Sequence, residues 1–568
     1  MKRVLLFAAA ALSFAACNAD SSDGYMPPSV GLNDAGSEGS VGEGGLPLGD
    51  AGPGEVTAVS CTTTFHYVPP AGRIVHGAQL TGEWNAFAKP GVAMTGPAAD
   101  GSFTAGIELP AGLVGYKLLL DGTYEMDPGA RLRKWAGGVE NSAVRIPDCH
   151  VPALSLTDKA LTRAAAGQGR FVANVHYIDA ADLAGIDPAS VKATLRKDDV
   201  ASPATVKVDG THLSIDAPSL ADGKYTILVS ANDKRGIAAK PLRLVFWVES
   251  APFDWHDAVI YMAMTDRMKD GDPSNNMAPI AGVDPRVQFQ GGDFDGVRSV
   301  IASGALDQLG VRAIWLTPLQ TNPQGAFAAA DGIHQVTGYH GYWPIKGREV
   351  EARLGGEVAL KKLVKEAHAH GIRILQDFVV NHVHKEHEYF TAHPEWFRTG
   401  CQCGTANCDW TEHRLDCLFA DYLPDVNWTV PAVGEQYGDD AVYWLDTFDL
   451  DGLRMDAVKH VEDVATVNLS ARIRDEFEAA GTKVFLTGET AMGWSDCGLA
   501  CNQSQYDTIS HYIGPNDLDG QFDFVLYAAV PYNVFDSSAK GFIHADYWTQ
   551  ASGWEYHSGC AVKYSCSL

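Results

Sequence analysis

The sequence predicts a multidomain protein in which two β-sandwich domains of immunoglobulin-like type precede a (β/α)8-type TIM barrel, incomplete, with about six of its strands present. Three observations predict it. At 568 residues the chain is too long for one hydrophobic core. Between about 57 and 250, short alternating strands are broken by Gly and Pro. From about 254 onward, apolar strands alternate with amphipathic helices, as in a parallel α/β sheet.

At the N-terminus Lys2 and Arg3 precede an apolar run from Val4 to Ala16, too short to span a bilayer as a stable helix. Residues 1–17 therefore read as an export signal. The run ends at Ala15-Ala16-Cys17, which looks like a bacterial lipoprotein cleavage site with Cys17 lipidated. Phe14 stands where Leu is more usual, so plain secretion is the alternative. Residues 18–56 are rich in Gly, Ser, Asp and Pro and read as a flexible tether. The expected location is the outer membrane or cell surface through a lipid anchor, or the medium. No later segment reads as transmembrane. A net charge of −27 argues against nucleic acid or an anionic membrane face as partner and suits neutral sugars and divalent cations. A monomer is expected.

Eleven cysteines in an exported chain read first as disulfides. Cys61 and Cys149 bracket the first domain, residues 57–150. Cys497 and Cys501 could close a small loop. Cys401, Cys403, Cys408 and Cys417 share one insertion and could form two bridges or hold zinc. Bridges are favoured, because their spacing matches no zinc pattern well.

The second β unit, 151–250, shows strand alternation in Thr226–Ser230 and Leu242–Trp247 and carries no evident chemistry. In the barrel, 251–568, the candidate strands are Val259–Met264, Ala313–Leu319, Arg373–Val379, Leu453–Val458, Lys483–Glu489 and Phe522–Tyr527. Glu357–His370 places Leu360, Leu363, Val364 and Ala367 on one helical face and stops at Gly371. A second helix is expected around Glu462–Ala480. The stretch 382–445 is too long for a simple loop and reads as an inserted subdomain.

Three strand ends deliver polar residues that a buried sheet would not otherwise carry. These are Asp377 to His382, Asp451 to His460, and Phe485 to Thr490. Asp456 and Glu489 lie 33 residues apart, about one β/α unit, so neighbouring strands could bring their carboxylates together. Paired carboxylates suit acetal chemistry, which needs an acid on the leaving oxygen and a base or nucleophile on the opposite face. Arg454, two residues before Asp456, points to the same side of the strand and would hold that carboxylate charged and oriented. Glu489 lacks such a partner in sequence and would keep a proton longer, as an acid should.

These segments resemble the α-amylase family, glycoside hydrolase family 13, across roughly residues 254–545. The resemblance rests on Asp377-x-x-x-Asn381-His382, Gly452-x-Arg454-x-Asp456-x-x-Lys459-His460 and Glu489, with Leu423-Pro424-Asp425-Val426-Asn427 and Tyr339-His340-Gly341-Tyr342-Trp343. It implies Asp456 as nucleophile and Glu489 as acid and base. Arg454, His382, His340, Tyr342 and Asp377 would surround the reacting sugar, and Lys459 and His460 would grip the sugar beyond the cleaved bond. It also implies Ca2+ at Asn381, Asp425 and the His460 carbonyl. A second calcium loop, similar to that of the cyclodextrin-forming members, would use Asp270, Asp272, Asn275, Asn276, Gly291 and Asp293.

The first domain resembles carbohydrate-binding module family 48 through Gly82-Glu83-Trp84-Asn85-Ala86-Phe87, Tyr116-Lys117, Asp121 to Tyr124, Asp127-Pro128 and Asn141-Ser142. There Phe87 and Tyr124 would stack on sugar faces while Lys117 and Asn141 bond hydroxyls. Binding members often carry Trp at the two aromatic positions.

The family's third acid, an Asp in a His-Asp pair after strand seven, has no counterpart. The adjacent pair His256-Asp257 precedes the first strand, and His544-Ala545-Asp546 has the wrong spacing. The expectation is a chain cut short before that acid. The implied activity is retaining hydrolysis of α-1,4-glucosidic bonds in starch, glycogen or maltodextrins. An α-glucan transglycosylase and an inactive glucan-binding surface lipoprotein are the alternatives.

Overall fold

The computed structural model describes residues 57–329, 331–493 and 499–527, with only the backbone of 499–501. They fall into two units, one of Asp254–Thr466 with 485–527, the other of 57–253 with Val467–Val484. The expectations placed on Cys17, the 18–56 tether, the Cys497–Cys501 loop and His544-Ala545-Asp546 lie outside the described residues. Among the described residues no helix is long and apolar enough to cross a membrane.

In the sandwich unit, residues 57–150 build a sheet ordered Val92–Ala93, Ala78–Gly82, Gly112–Leu120, Val139–Ile146, Leu132–Ala136. A separate ladder pairs Thr62–Tyr67 with Phe103–Glu108. Alternation sends Phe65, Tyr67, Leu80, Phe103, Tyr116, Leu118 and Leu120 into one core, and Cys61 is bonded to Cys149. Residues 151–250 add two four-stranded antiparallel sheets whose inner faces meet around Phe171, Val175, Ile215, Ile227 and Phe246. Phe171 and Phe246 stack at 4.0 Å. Within the same unit, Asn468 exchanges hydrogen bonds of 2.8 and 2.9 Å with the Arg133 backbone, and Glu476 pairs with Lys240 and Arg243.

The other unit is built on six parallel strands in sequential order. These are β1 (Val259–Ala263), β2 (Val311–Leu316), β3 (Arg373–Val379), β4 (Gly452–Asp456), β5 (Phe485–Gly488) and β6 (Gly520–Gln521). All residues of β3 and β4 are buried, as in strands covered on both faces. Gly452 is required at the start of β4, since a Cβ there would lie 2.2 Å from the Phe485 carbonyl oxygen. The sheet curls, bringing Phe522 beyond β6 to within 5.2 Å of Trp315 on β2. The result is a half-barrel.

Five of the six strands lie within a few residues of where apolar runs predict them. The sixth does not: β6 is the pair Gly520–Gln521, and Phe524–Tyr527 is helical. Asp523 explains it, because its carboxylate accepts the Leu526 N–H at 2.8 Å and starts a helical turn. Between strands lie α1 (Phe294–Ala302), α2 (Gly356–Ala369), α3 (Pro431–Thr447) and α4 (Asp463–Phe477). α2 buries Leu360, Leu363, Val364 and Ala367 as its spacing predicts. α3 is a regular helix that overlaps the last part of the 382–445 stretch.

Candidate active site

Register assembles the site. Parallel pairing sets Asp377 of β3 beside Arg454 of β4 and Val379 beside Asp456, while Met455 lies beside Gly488 of β5. Glu489 extends that ladder by donating its N–H to the Met455 carbonyl at 3.0 Å. Residues two apart on a strand share a face, so Arg454 and Asp456 project together. Ala457 then takes a left-handed backbone, φ 51°, a conformation costing a non-glycine residue about 1 kcal/mol or more. It turns the chain into Val458–His460, which returns Lys459 and His460 toward the strand ends.

Arg454 is the hub. Its Nη1 donates to Asp377 Oδ1 at 2.8 Å and to Asp456 Oδ1 at 2.7 Å, and its Nη2 to Glu489 Oε2 at 2.6 Å. The rings of Trp315, Tyr342 and Phe522 surround the guanidinium at 4.8, 6.0 and 5.7 Å. Burial pushes the Glu489 carboxyl above its ordinary value, aided by the charge of Asp456 and a hydrogen bond with it, and opposed by Arg454. Asp456 and Glu489 thus share one guanidinium, which brings their carboxyl groups together at the strand ends.

Asp377 was expected to touch substrate, and the structure corrects this. It is fully buried, and its Oδ2 accepts Trp315 Nε1 at 2.9 Å and the Tyr342 hydroxyl at 2.7 Å while Oδ1 accepts Arg454. Burial lifts this carboxyl to about 7 against the pull of Arg454. Its neighbours make it a brace for Arg454 and Tyr342. His382 bonds the Tyr342 carbonyl through Nε2 at 3.0 Å. His340 accepts the Tyr342 N–H at Nδ1, and its buried Nε2 has no protein partner. Burial lowers His340 to about 3 and His382 to about 4, so both rings are neutral at pH 7. Lys459 donates to the Ala491 carbonyl at 3.0 Å.

Sequence reasoning missed the residues that support His460. Its ring meets Trp410 edge-on at 5.6 Å and Phe419 at 5.0 Å, and Nδ1 bonds the Arg414 carbonyl at 3.0 Å. Phe419 also meets the His382 ring at 5.4 Å. Two disulfides, Cys401–Cys408 and Cys403–Cys417, clamp this loop, which settles the choice between bridges and zinc. Among the described residues the one cluster with metal-ligand spacing is Cys401, Cys408 and His413, whose thiols are spent in a bridge. The available signal was an aromatic two residues after Cys408 and another two after Cys417.

The two expected calcium sites differ. In the 270–276 loop, Asp293 accepts the Gly271, Asp272 and Gly296 N–H groups and the Asn275 amide. Asn276 donates to Asp270 at 2.8 Å, and Gly291 packs so closely on Asn276 that a Cβ would lie 2.4 Å from Oδ1. Asn275 Oδ1 is buried without a partner. An orphaned amide oxygen among carboxylates fits a hard cation. At Asn381, Asp425 and His460 the fit fails. Asn381 Oδ1 is likewise without a partner, but Asp425 Oδ2 already accepts Arg398 Nη1 at 2.9 Å. The same guanidinium also pairs with Glu462, so one cation already answers two carboxylates there.

In the sandwich unit, the Tyr124 hydroxyl donates to the Phe87 carbonyl at 2.7 Å, and Lys89 Nζ lies 4.3 Å from the Tyr124 ring centroid. Phe87 and Lys117 are half-buried and Tyr124 is exposed. Asn141 is a correction: it is wholly buried, and its Nδ2 donates to the Ala136 and Val139 carbonyls at 2.9 Å. It holds its own hairpin instead of facing a sugar.

Comparison with known proteins bears on the half-barrel. Residues 262–481 match the family described as alpha amylase, catalytic domain. The chain is 39% identical over 137 residues to the periplasmic α-amylase of Escherichia coli K12, covering 23% of this chain and 20% of that one. It is 30% identical over 320 residues to a cyclomaltodextrin glucanotransferase of Bacillus licheniformis, covering 53% of this chain and 42% of that one. A crystal structure of an α-amylase from Geobacillus thermoleovorans aligns with a TM-score of 0.39 and 29% identity, over 49% of this chain and 54% of that one. The chain spans less than half the length of these two curated relatives.

Proposed function

We propose that this chain, which belongs to the α-amylase family through residues 262–481, carries the machinery for retaining hydrolysis of α-1,4-glucosidic bonds in starch, glycogen or maltodextrins. The observation that carries the reading is the single guanidinium of Arg454 shared by Asp456 and Glu489, both partly open at the strand ends, with side chains 11% and 18% exposed. Asp456, held through Oδ1 at 2.7 Å from Nη1, would attack the anomeric carbon with its other oxygen. Glu489, its proton held by burial, gives that proton to the leaving oxygen as the bond to the sugar breaks. It then takes a proton from the water that releases the sugar from Asp456.

The neutral ring of His340 has its Nε2 left to bond a hydroxyl without adding charge, His382 holds the Tyr342 backbone, and Tyr342 supplies an apolar face. Lys459, and His460 backed by Trp410 and Phe419, would grip the leaving sugar. A calcium ion in the 270–276 loop would be held by Asp270, Asp272, Asn275, Asn276, Asp293 and the Gly291 backbone, supplying charge that pins the loop to the start of α1. The exposed Tyr124 and neighbouring Phe87 would add a second glucan contact. The positively charged start and apolar run of residues 1–17, with the disulfides, support an exported protein, anchored by lipid or secreted. The periplasmic relative agrees with export.

The test is release of reducing ends from soluble starch by the full chain and its Asp456→Asn variant, with NMR of the first product. New α-anomeric ends from the unmodified chain alone support the reading. Cyclic products would assign a transglycosylase. Starch retained without new ends would overturn hydrolysis in favour of a glucan-binding role.

A further inference from the structure

We propose that the junction between the half-barrel and its insertion is closed by the Arg398 side chain in place of a metal ion, making that junction independent of calcium. Arg398 leaves the short strand Phe397–Arg398, which pairs with Asp425–Val426. Its Nη1 donates to Asp425 Oδ2 at 2.9 Å and to the Leu415 carbonyl. Its Nη2 donates to Asn427 Oδ1 at 2.8 Å and to Glu462 Oε1. One planar group thus joins four oxygen acceptors from three stretches of chain: the disulfide-clamped loop, the 425–427 segment and the residue before α4.

These acceptors are those a hard cation would seek: two carboxylates, an amide oxygen and a backbone carbonyl. Both carboxylates are nearly sealed, with side chains 3% and 4% exposed. Buried carboxylates demand a fixed positive charge, and the guanidinium fork supplies it with directional bonds. A divalent ion binding the same Asp425 oxygen would have to displace that guanidinium or lie against it. The inference goes beyond the catalytic reading, and its failure would leave Asp456 and Glu489 untouched.

The experiment measures bound calcium by plasma mass spectrometry and the melting temperature with EDTA or millimolar calcium, on the full chain. Asp270→Ala is introduced first, so that the other candidate loop cannot contribute. The expected result is a folded Asp270→Ala chain holding no stoichiometric calcium at the junction, with a melting temperature the same in EDTA and calcium. Adding Arg398→Ala should then lower the melting temperature by several degrees and create a calcium dependence. If Arg398→Ala does not fold, Arg398→Lys, which keeps the charge, should melt identically in EDTA and calcium. A stoichiometric calcium in the Asp270→Ala chain that is lost on Asp425→Asn would overturn the proposal, as would a calcium-dependent melting temperature of the Arg398→Lys chain.

Discussion

Arg454 and Arg398 each gather buried carboxylates within one unit, but they are exposed in opposite senses. At Arg454 the guanidinium is sealed, 4% exposed, while Asp456 and Glu489 open to 11% and 18%. At Arg398 the guanidinium is the accessible member at 21%, and Asp425 and Glu462 close to 3% and 4%. The same ion-pair chemistry therefore serves two ends. Where two of the three acids around one base open outward, a reactive pair is held ready with a proton in reserve. Where the acids face inward, the pair is a fastener.

The largest effect expected from disturbing this contrast is at Asp456. Replacing it by Asn should lower kcat on maltooligosaccharides about ten-thousandfold or more, with little change in melting temperature, as steady-state kinetics and calorimetry would show. Arg454→Ala should cost both activity and fold. Removing it leaves three carboxylates uncompensated, so unfolding in urea should show a loss of about 3–5 kcal/mol, greatest at neutral pH and smaller in acid. Arg398→Ala should cost a similar 3–5 kcal/mol in urea while kcat per folded molecule stays within a few-fold, because no reacting group touches Arg398.

A smaller effect is a pH slope. Glu489 holds its proton above the ordinary 4.5 in the folded chain, because burial and Asp456 disfavour its charge. The stability it contributes is complete below about 4.5 and is lost as pH rises through the folded value. Glu489→Gln should flatten that part of a stability-against-pH curve, and an unchanged slope would place the shift elsewhere. Smallest is the sandwich surface. Asn141→Ala should cost about 1–2 kcal/mol through the freed hairpin carbonyls and leave starch retention on an affinity gel unchanged, whereas Tyr124→Ala should weaken retention without lowering stability.

Local pattern reached far into this molecule. Strands β1 to β5 are apolar runs, and those from β3 to β5 are buried on both faces, which leaves little choice of conformation; α2 is legible from four residues on one face. Asp456, Glu489 and Arg454 stood out because charges at the ends of such strands are costly without a use. The reading went astray where a side chain could turn either way. Asn141 could face a sugar or its own hairpin, and the Ala136 and Val139 carbonyls won. Asp523 recast an apolar run as a helical turn with a single side-chain bond. Trp410 and Phe419 lay in a cysteine-rich stretch with no periodicity, so nothing nearby tied them to His460.

By itself, then, the sequence determined which residues could be buried and which charges needed a purpose, since periodicity and composition act over a few residues and depend on no distant neighbour. Only the tertiary structure decided which charges meet. Arg398 reaches Asp425 and Glu462 across 27 and 64 positions, and Arg454 reaches Asp377 across 77. At such separations the chain leaves pairing free, and only the register of parallel strands and the path of the disulfide-bonded loop select one base for each set of acids.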